Sequence, residues 1–253
     1  MDTFDENCEM TPENVASADL AVSTRGLAKS YGIFHALTGV NINVTRGTTL
    51  AIFGPNGAGK TTLIKMLAGV MRPSAGSITI EGLDMQEDAS RLRSRIGLLS
   101  HHSFLYGSLS AEENLSFYAS MYGVADAPQR IAQLLERVGL KSRRYDRVAS
   151  FSRGMLQRLS LARALLHQPY VLMLDEPETG LDRQGLDDMW SIIKSDTPQR
   201  TVIFTSHNFE RALAACSDVL ILNRGRVAFS TASQGLSADE LQQIYHRETG
   251  EKR

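Results

Sequence analysis

One stretch of the sequence has the spacing of a phosphate-binding loop. It fits the pattern G-x-x-x-x-G-K-[ST] and consists of Gly54, Pro55, Asn56, Gly57, Ala58, Gly59, Lys60, Thr61 and Thr62. Glycines let a backbone curl round a polyphosphate with its N–H groups pointing inward. Lys60 can reach the β- and γ-phosphates, and the Thr61 hydroxyl can ligate Mg²⁺. A chance glycine-rich turn is the alternative, but a strand-like segment precedes the loop and helical spacing follows it.

A pair of carboxylates gives the second chemical signal. Asp175 and Glu176 follow an apolar run, residues 170–174, that is typical of a fully buried strand. A carboxylate at the end of a strand beside a phosphate loop can hold Mg²⁺, directly or through water, and Asp175 suits that role. Glu176 is then free to orient or deprotonate an attacking water. The alternative is a solvated acidic turn.

Four further residues allow both a functional and a structural interpretation. Tyr31 lies upstream of the loop and can stack on an adenine, or it is an ordinary tyrosine. His207 ends a buried strand-like run, where a lone histidine is usually structural. His101 and His102 are adjacent, but nothing near them has metal-ligand spacing, which disfavours a metal site.

Composition limits the class of protein. The chain has 253 residues, of which 42% are hydrophobic and 22% charged, which suits one globular domain with lobes. Its net charge of −1 gives no basic excess for nucleic acid. Cys8 and Cys216 make no disulfide framework, which favours a reducing cytosol. No apolar run approaches the ~20 residues that span a bilayer, and no signal-peptide core is present, so a membrane role requires docking to another chain.

The order of elements indicates an α/β protein. Residues 1–19 are acidic and are predicted to be a disordered tail. Residues 20–24 and 39–44 alternate as half-buried antiparallel strands do. Residues from about 103 to 149 have helical spacing, with a capping box at Ser110 and a cap at Asp126. Ser152 caps the next helix, and Ser237 caps a final one.

In this order the motifs resemble the ATP-binding cassette (ABC) family of transporter ATPases over residues 20–229. The resemblance implies a P-loop NTPase (RecA-like) core with an antiparallel β subdomain and an inserted α-helical subdomain. The implied boundaries are 20–235 for the ATP-binding domain, about 103–168 for the helical subdomain, and 236–253 for a terminal helix and tail. ATP and Mg²⁺ are the implied ligands.

Roles follow from the same resemblance, residue by residue. Tyr31 matches the adenine-stacking aromatic, Asp175 the magnesium aspartate, Glu176 the catalytic glutamate and His207 the switch histidine. Residues 179–182 match the dimer-contact loop.

The signature motif departs from the family pattern. The usual Leu-Ser-Gly-Gly-Gln is replaced by residues 151–155, Phe-Ser-Arg-Gly-Met. Ser152 and Gly154 remain for contact with the partner subunit's ATP, and Arg153 adds a charge beside them. The family's lid glutamine falls at His101, which bears on how transport is coupled rather than on ATP binding.

The resemblance implies an ATPase subunit that acts as a homodimer or paired ATPase with an integral membrane permease. Such a subunit is peripheral on the cytoplasmic face of the membrane and binds no nucleic acid. The segment from His101 to Gly123 resembles the haem-exporter ATPase of cytochrome c maturation. Drug, polysaccharide or lipid exporters of the ABC-2 type are the alternative. The single phosphate loop disfavours a non-transport ABC ATPase acting on nucleic acid or ribosomes. The absence of a guanine-binding motif disfavours a GTPase or kinase. Glu176 and His207 disfavour a catalytically silent cassette.

Overall fold

The computed structural model describes residues 19–196 and 200–251, so the predicted acidic tail lies outside the described residues, apart from Asp19. The strands are β1 (Leu20–Tyr31), β2 (Phe34–Thr45), β3 (Thr49–Phe53), β4 (Ala75–Ile80), β5 (Leu83–Asp84), β6 (Ile96–Leu99), β7 (Val171–Leu174), β8 (Thr201–Thr205), β9 (Asp218–Asn223) and β10 (Arg226–Ala232). The helices are α1 (Lys60–Leu67), α2 (Ala89–Arg93), α3 (Ala111–Tyr122), α4 (Ala127–Arg137), α5 (Arg153–Leu165), α6 (Arg183–Asp196), α7 (Phe209–Ala215) and α8 (Ala238–Thr249).

An antiparallel sheet in the order β2-β1-β4-β5 forms the predicted β subdomain. β1 and β2 are longer than the alternating segments 20–24 and 39–44 indicate, and they continue to a tight hairpin where Tyr31 pairs with Phe34. The sequence pattern does not predict this extension, because register shifts between Thr24 and Leu27 and beyond interrupt the alternation of apolar and polar residues.

The second sheet has the order β10-β9-β3-β8-β7-β6 and is parallel except for β10. β7 and β8 are buried along their whole length, as strands covered on both faces are. The carboxyl ends of parallel strands meet at one edge of a sheet, where ligands bind in such folds. This edge therefore collects the segments that follow β3, β6, β7 and β8.

Helical segments follow β6 and cover one face of this sheet. The capping box at Ser110 is confirmed, with the Ser110 hydroxyl accepting from the Glu113 N–H and the Glu113 carboxylate accepting from the Ser110 N–H. The first α-helix after β6 begins at Ala111. Phe104, near the start of the stretch with helical spacing, has a left-handed backbone (φ 55°) and lies outside any helix. The predicted Asp126 cap is wrong in its chemistry: Asp126 precedes α4, but it is also left-handed and its side chain makes no cap hydrogen bond.

Two apolar cores lie on opposite faces of the parallel sheet. One joins Phe53, Leu174 and Phe204 to the helical subdomain, and the other joins Ile52 and Met173 to α1 and the β subdomain. Successive residues of a strand point to opposite faces, so each central strand packs against both the helical subdomain and the layer formed by α1 and the β subdomain. Within the described residues, no helix is long and apolar enough to cross a membrane.

Candidate active site

The phosphate loop follows β3 and turns into α1 at Lys60. Gly54 (φ 152°) and Gly59 (φ 104°) occupy backbone conformations that favour glycine. A Cβ on Gly54 would collide with the Leu222 carbonyl, and one on Gly59 would lie 2.7 Å from the Ala36 carbonyl oxygen. The loop therefore closes tightly against neighbouring strands, and the first N–H groups of α1 point out of the helix end without partners inside it.

Lys60 is buried inside its own loop. Its Nζ donates to the carbonyl oxygens of Gly54 (2.5 Å) and Pro55 (3.1 Å). Burial lowers the pKa of Lys60, and the nearby carboxylates of Glu176 and Asp175 oppose that shift. The ammonium group is thus held at the loop by neutral carbonyl oxygens. The negatively charged oxygens of a polyphosphate are stronger partners and can replace them.

A cavity of about 230 Å³ opens beside this loop. Residues 55–62 line it together with Tyr31, Phe34, Ala36 and Glu176. Tyr31 is 48% exposed, and its hydroxyl donates to Met71 Sδ at 3.0 Å, which orients the ring at the cavity rim. The structure therefore brings Tyr31, the whole loop after Gly54, and Glu176 to one space.

Asp175 lies at the end of β7 and is buried (3% exposed). Its Oδ1 accepts hydrogen bonds from Thr61 Oγ1 (3.1 Å) and Thr205 Oγ1 (3.2 Å). Its Oδ2 is buried and has no hydrogen-bond partner among the described residues. An unpaired buried carboxylate oxygen beside a hydroxyl suits Mg²⁺, which prefers hard oxygen ligands, so Thr61 and Asp175 fit a magnesium site.

Two histidines hold the Glu176 carboxylate. His101 Nε2 lies 3.1 Å from Oε2, and His207 Nε2 lies 3.3 Å from Oε1. Burial raises the pKa of Glu176, but the His207 hydrogen bond and the electrostatic effect of His101 outweigh it, so its pKa lies below the ordinary value. Glu176 is therefore ionised at neutral pH. Because an ionised carboxylate only accepts hydrogen bonds, both Nε2 atoms act as donors.

The backbone of Glu176 is also constrained. Its φ of 51° is left-handed, which is rare for a residue other than glycine. Its N–H donates to Thr205 Oγ1 at 2.8 Å, so one threonine contacts both members of the acidic pair. Local strain of this kind is kept where surrounding contacts fix it and is concentrated at functional sites.

A second cavity of about 370 Å³ lies on the other side of Glu176. His101, Arg153 and Gly180 are among its lining residues, together with Asp175 and Glu176. Ser152 is exposed and caps α5 by accepting from the Met155 N–H at 3.3 Å. Within the described residues, neither Ser152 nor Gly154 lines the phosphate cavity of its own chain.

The sequence motifs do not identify Thr205 or the contact between His101 and Glu176. Thr205 is buried at the last position of β8, immediately before Ser206 and His207, and a hydroxyl at such a strand end is the signal that marks it. The sequence places His101 at the position of the family's lid glutamine and beside His102, but it does not predict a contact with Glu176. Its contact with Glu176 depends on the order of strands in the sheet, which the sequence motifs do not reveal.

Comparison with known proteins identifies the family. The family model described as ABC transporter matches residues 37–179, more than half of the chain. The chain belongs to the ABC transporter family. It carries the ATPase domain of that family, with the P-loop NTPase fold predicted from its motifs.

Several proteins named as ABC transporter components are similar along most of the chain. The daunorubicin resistance ATP-binding protein DrrA3 of Streptomyces coeruleorubidus is 38% identical over 88% of this chain and 71% of its own length. The ABC transporter ATP-binding protein NatA of Bacillus subtilis is 34% identical over 82% of this chain and 86% of its own length. A solved ATP-binding subunit of an ABC transporter superposes with a TM-score of 0.82 at 28% identity, covering 90% of this chain and 99% of that one.

Proposed function

We propose that this chain is the ATP-hydrolysing subunit of an ABC exporter, and that Glu176 handles the attacking water. One observation carries the proposal: Glu176 lines the phosphate-loop cavity while both of its carboxylate oxygens are held by histidines. An ionised, oriented carboxylate beside the γ-phosphate position is what hydrolysis requires.

Binding of ATP uses residues that already meet in the structure. The N–H groups at the start of α1 donate hydrogen bonds to the phosphate oxygens, and Lys60 leaves its carbonyl partners to pair with the β- and γ-oxygens. Tyr31 stacks on the adenine at the other end of the cavity. Thr61 and Asp175 are the residues that would hold Mg²⁺, which when bound supplies charge neutralisation on the phosphate oxygens.

Hydrolysis then depends on the orientation of Glu176. A carboxylate with a lowered pKa is a weak base, so its first task is to accept a hydrogen bond from water and aim the water at phosphorus. His207 donates a hydrogen bond to Oε1, and it can donate instead to a γ-phosphate oxygen when ATP is bound. As the bond from the water oxygen to the γ-phosphorus forms, the bond from that phosphorus to the β–γ bridging oxygen breaks, and ADP is the leaving group. The proton released by the water goes to Glu176.

Each active site is completed by a second chain in this proposal. Ser152 caps α5 by accepting from the Met155 N–H, and its O–H can still donate, so this exposed helix start suits an anion. Its own chain already has a complete phosphate cradle, so Ser152 and Gly154 face the γ-phosphate bound by a partner. Two copies related by a twofold axis give two equivalent sites, with Arg153 beside each contact.

The permease contact is assigned to residues 101–110, which we call the docking loop, with the adjacent face of α3. Phe104 and Tyr106 are exposed on the loop, and Phe117 and Met121 are exposed on α3. The Tyr106 and Phe117 rings meet edge to face at 5.3 Å, which joins the two segments into one apolar surface. Contiguous exposed apolar surface marks an interaction site. A chain docked this way works at the cytoplasmic face of the membrane.

A drug-type cargo is favoured over haem. DrrA3 is named for daunorubicin resistance, and LnrL of Bacillus subtilis, 34% identical over 81% of this chain, is named for linearmycin resistance. Neither name concerns haem, so the resemblance to haem-exporter ATPases remains a prediction. We therefore propose an exporter of amphipathic small molecules, and identification of the co-purifying permease tests it.

Glu176→Gln tests the proposed chemistry. The substitution keeps size and hydrogen bonding but removes the charge and the proton acceptor, so steady-state ATP hydrolysis is expected to fall by about 100-fold or more. ATP binding, followed by calorimetry, is expected to persist, and the variant accumulates as an ATP-bound dimer in size-exclusion chromatography. Hydrolysis at the wild-type rate refutes the role of Glu176.

A further inference from the structure

Helix α8 is connected to the candidate active site through α7. Two of its side chains, Leu241 and Tyr245, are buried. α8 contacts α7, and α7 in turn contacts β3. β3 leads directly into the phosphate loop, and α7 begins two residues after His207. The short helix that follows His207 is therefore held between the strand of the phosphate loop and α8.

Three aromatic rings join these elements in a row. The ring of Phe53, the last residue of β3, has its centroid 5.0 Å from that of Phe209, the first residue of α7. The Phe209 ring in turn lies 5.3 Å from the ring of Tyr245, edge to face. Aromatic pairs at these separations prefer defined angles and stabilise beyond the area that they bury. The row therefore fixes how α7 lies between β3 and α8.

The position of His207 depends on the backbone on either side of it. Ser206, just before it, donates its N–H to a β3 carbonyl at 3.2 Å. Asn208, just after it, caps α7 with its side-chain oxygen. The His207 side chain is 52% exposed, and its Nε2 lies 3.3 Å from Glu176 Oε1. Because an exposed ring is little constrained by packing of its own, a shift of α7 moves His207 relative to Glu176.

α8 is itself fixed to the turn that holds the phosphate loop. Asn223, at the end of β9, donates from Nδ2 to the Glu248 carbonyl in the last turn of α8 at 2.7 Å. Two residues further on, the Gly225 N–H donates to the Ala58 carbonyl of the loop at 3.0 Å. Neither hydrogen bond involves the ring of Tyr245. The loop therefore keeps this support when that ring is removed, whereas α7 loses one of its two aromatic contacts.

We propose that Tyr245 is a positioning residue for ATP hydrolysis: its ring, acting through Phe209, sets the place of α7 against β3 and so directs His207 toward Glu176 and the γ-phosphate. The proposal rests on the function proposed above, in which His207 donates to Glu176 and then to a γ-phosphate oxygen. Because the phosphate loop has its own support, loss of the Tyr245 ring acts on turnover and not on ATP affinity.

Two substitutions at Tyr245 separate its ring from its hydroxyl. Tyr245→Phe keeps the ring and removes only the hydrogen bond from the hydroxyl to Glu251 Oε2, which is 3.0 Å long. Tyr245→Leu removes the ring and leaves an apolar side chain in the core. Leu241→Ala is the matched control, because Leu241 is also buried on α8 but belongs to no ring contact. If Tyr245→Leu does not fold, Tyr245→Met fills a similar space without a ring and replaces it in the comparison.

The experiment measures kcat, KM and ATP affinity of the full chain with Mg-ATP, and urea unfolding of each variant shows that it is folded under the assay conditions. Tyr245→Leu is expected to lower kcat by about 10- to 100-fold, the scale of a misplaced catalytic group, with ATP affinity unchanged. Tyr245→Phe and Leu241→Ala are expected to retain most of kcat. Equal kcat values for Tyr245→Leu and Leu241→Ala overturn the proposal, as does a loss that appears only in ATP affinity.

A double variant separates this proposal from the one on which it rests. If Tyr245 acts through His207, adding Tyr245→Leu to His207→Ala lowers single-turnover hydrolysis no further. A further loss equal to that of Tyr245→Leu alone shows independent action and overturns the positioning role. Wild-type hydrolysis by His207→Ala itself refutes instead the role that the proposed function gives to His207.

Discussion

Acid is expected to weaken the junction between the helical subdomain and the core sheet at His167. This residue follows α5, stacks on Tyr122 with ring centroids 4.0 Å apart, and donates from Nε2 to the Ile96 carbonyl at 3.0 Å. Its Nδ1 is buried and has no partner among the described residues. Burial lowers the pKa of His167 to about 4, and nearby arginines, Arg163 first, add to the shift.

The sign and size of the effect follow from linkage. The folded chain keeps His167 neutral down to about pH 4, whereas the unfolded chain protonates it below its ordinary pKa of 6.5. As pH falls through this window the unfolded state binds more protons, so stability falls. At 1.36 kcal/mol per pH unit, the loss is about 2 kcal/mol at pH 5 and about 3 kcal/mol at pH 4. The contribution is fully present above pH 6.5.

Urea unfolding of the wild type and His167→Gln, at about pH 7.5 and about pH 5, measures this contribution. Gln can keep the hydrogen bond to the Ile96 carbonyl but does not titrate, so carboxylate effects cancel between the two proteins. The wild type is expected to lose about 2 kcal/mol more than the variant between the two pH values. Equal losses in both proteins would refute the reasoning.

Four other substitutions test the site and the packing around it. Lys60→Ala is expected to weaken ATP binding by about 10- to 100-fold in calorimetry, the scale of a lost charged hydrogen bond; equal affinity contradicts the cradle. Mixing Lys60→Ala chains with Ser152→Arg chains is expected to restore hydrolysis through one competent site per mixed dimer, whereas single-chain sites give no rescue at any ratio. Gly97→Ala puts a Cβ against the Ala164 carbonyl and is expected to cost about 1–3 kcal/mol in urea unfolding, and an unchanged midpoint rejects that contact. A photo-crosslinker at Cys introduced in place of Phe104 is expected to capture a membrane protein, and capture of soluble proteins alone counts against the docking loop.

The sequence predicts features that depend on local chemistry. Lys60 and Asp175 come from motifs whose spacing is fixed by the turn that each one makes. Ser152 and Ser237 are helix caps that the structure confirms, because a side-chain hydroxyl and an N–H three residues later form a local contact. Asp126 shows the limit of that argument, since its backbone is left-handed and its side chain makes no cap hydrogen bond.

Sequence motifs do not predict the contacts that depend on which strands pair in the sheet. His101 meets Glu176 only because β6 and β7 pair in the sheet. Thr205 contacts Asp175 for the same reason on the other side, through the pairing of β7 and β8. The sequence pattern underestimates the length of β1 because register shifts along the strand break the two-residue period. In each case the missing information is which distant segment lies alongside.

The position of β3 in the sheet sets the order in which the molecule can be assembled during synthesis. β3 carries the phosphate loop near the start of the chain, yet both of its hydrogen-bonded neighbours come late: Thr49 pairs with Val202, and Ala51 pairs with Val219. Contacts between such distant segments form slowly because a long loop must close first. A nascent chain that ends before β8 can already form the helix pair α3 and α4. Its β3, however, has neither of its neighbouring strands, so the phosphate loop that follows β3 is not yet held in place. Nucleotide binding therefore requires that nearly the whole domain has been translated. A chain truncated after α6 is expected to form the helical lobe but not to bind nucleotide.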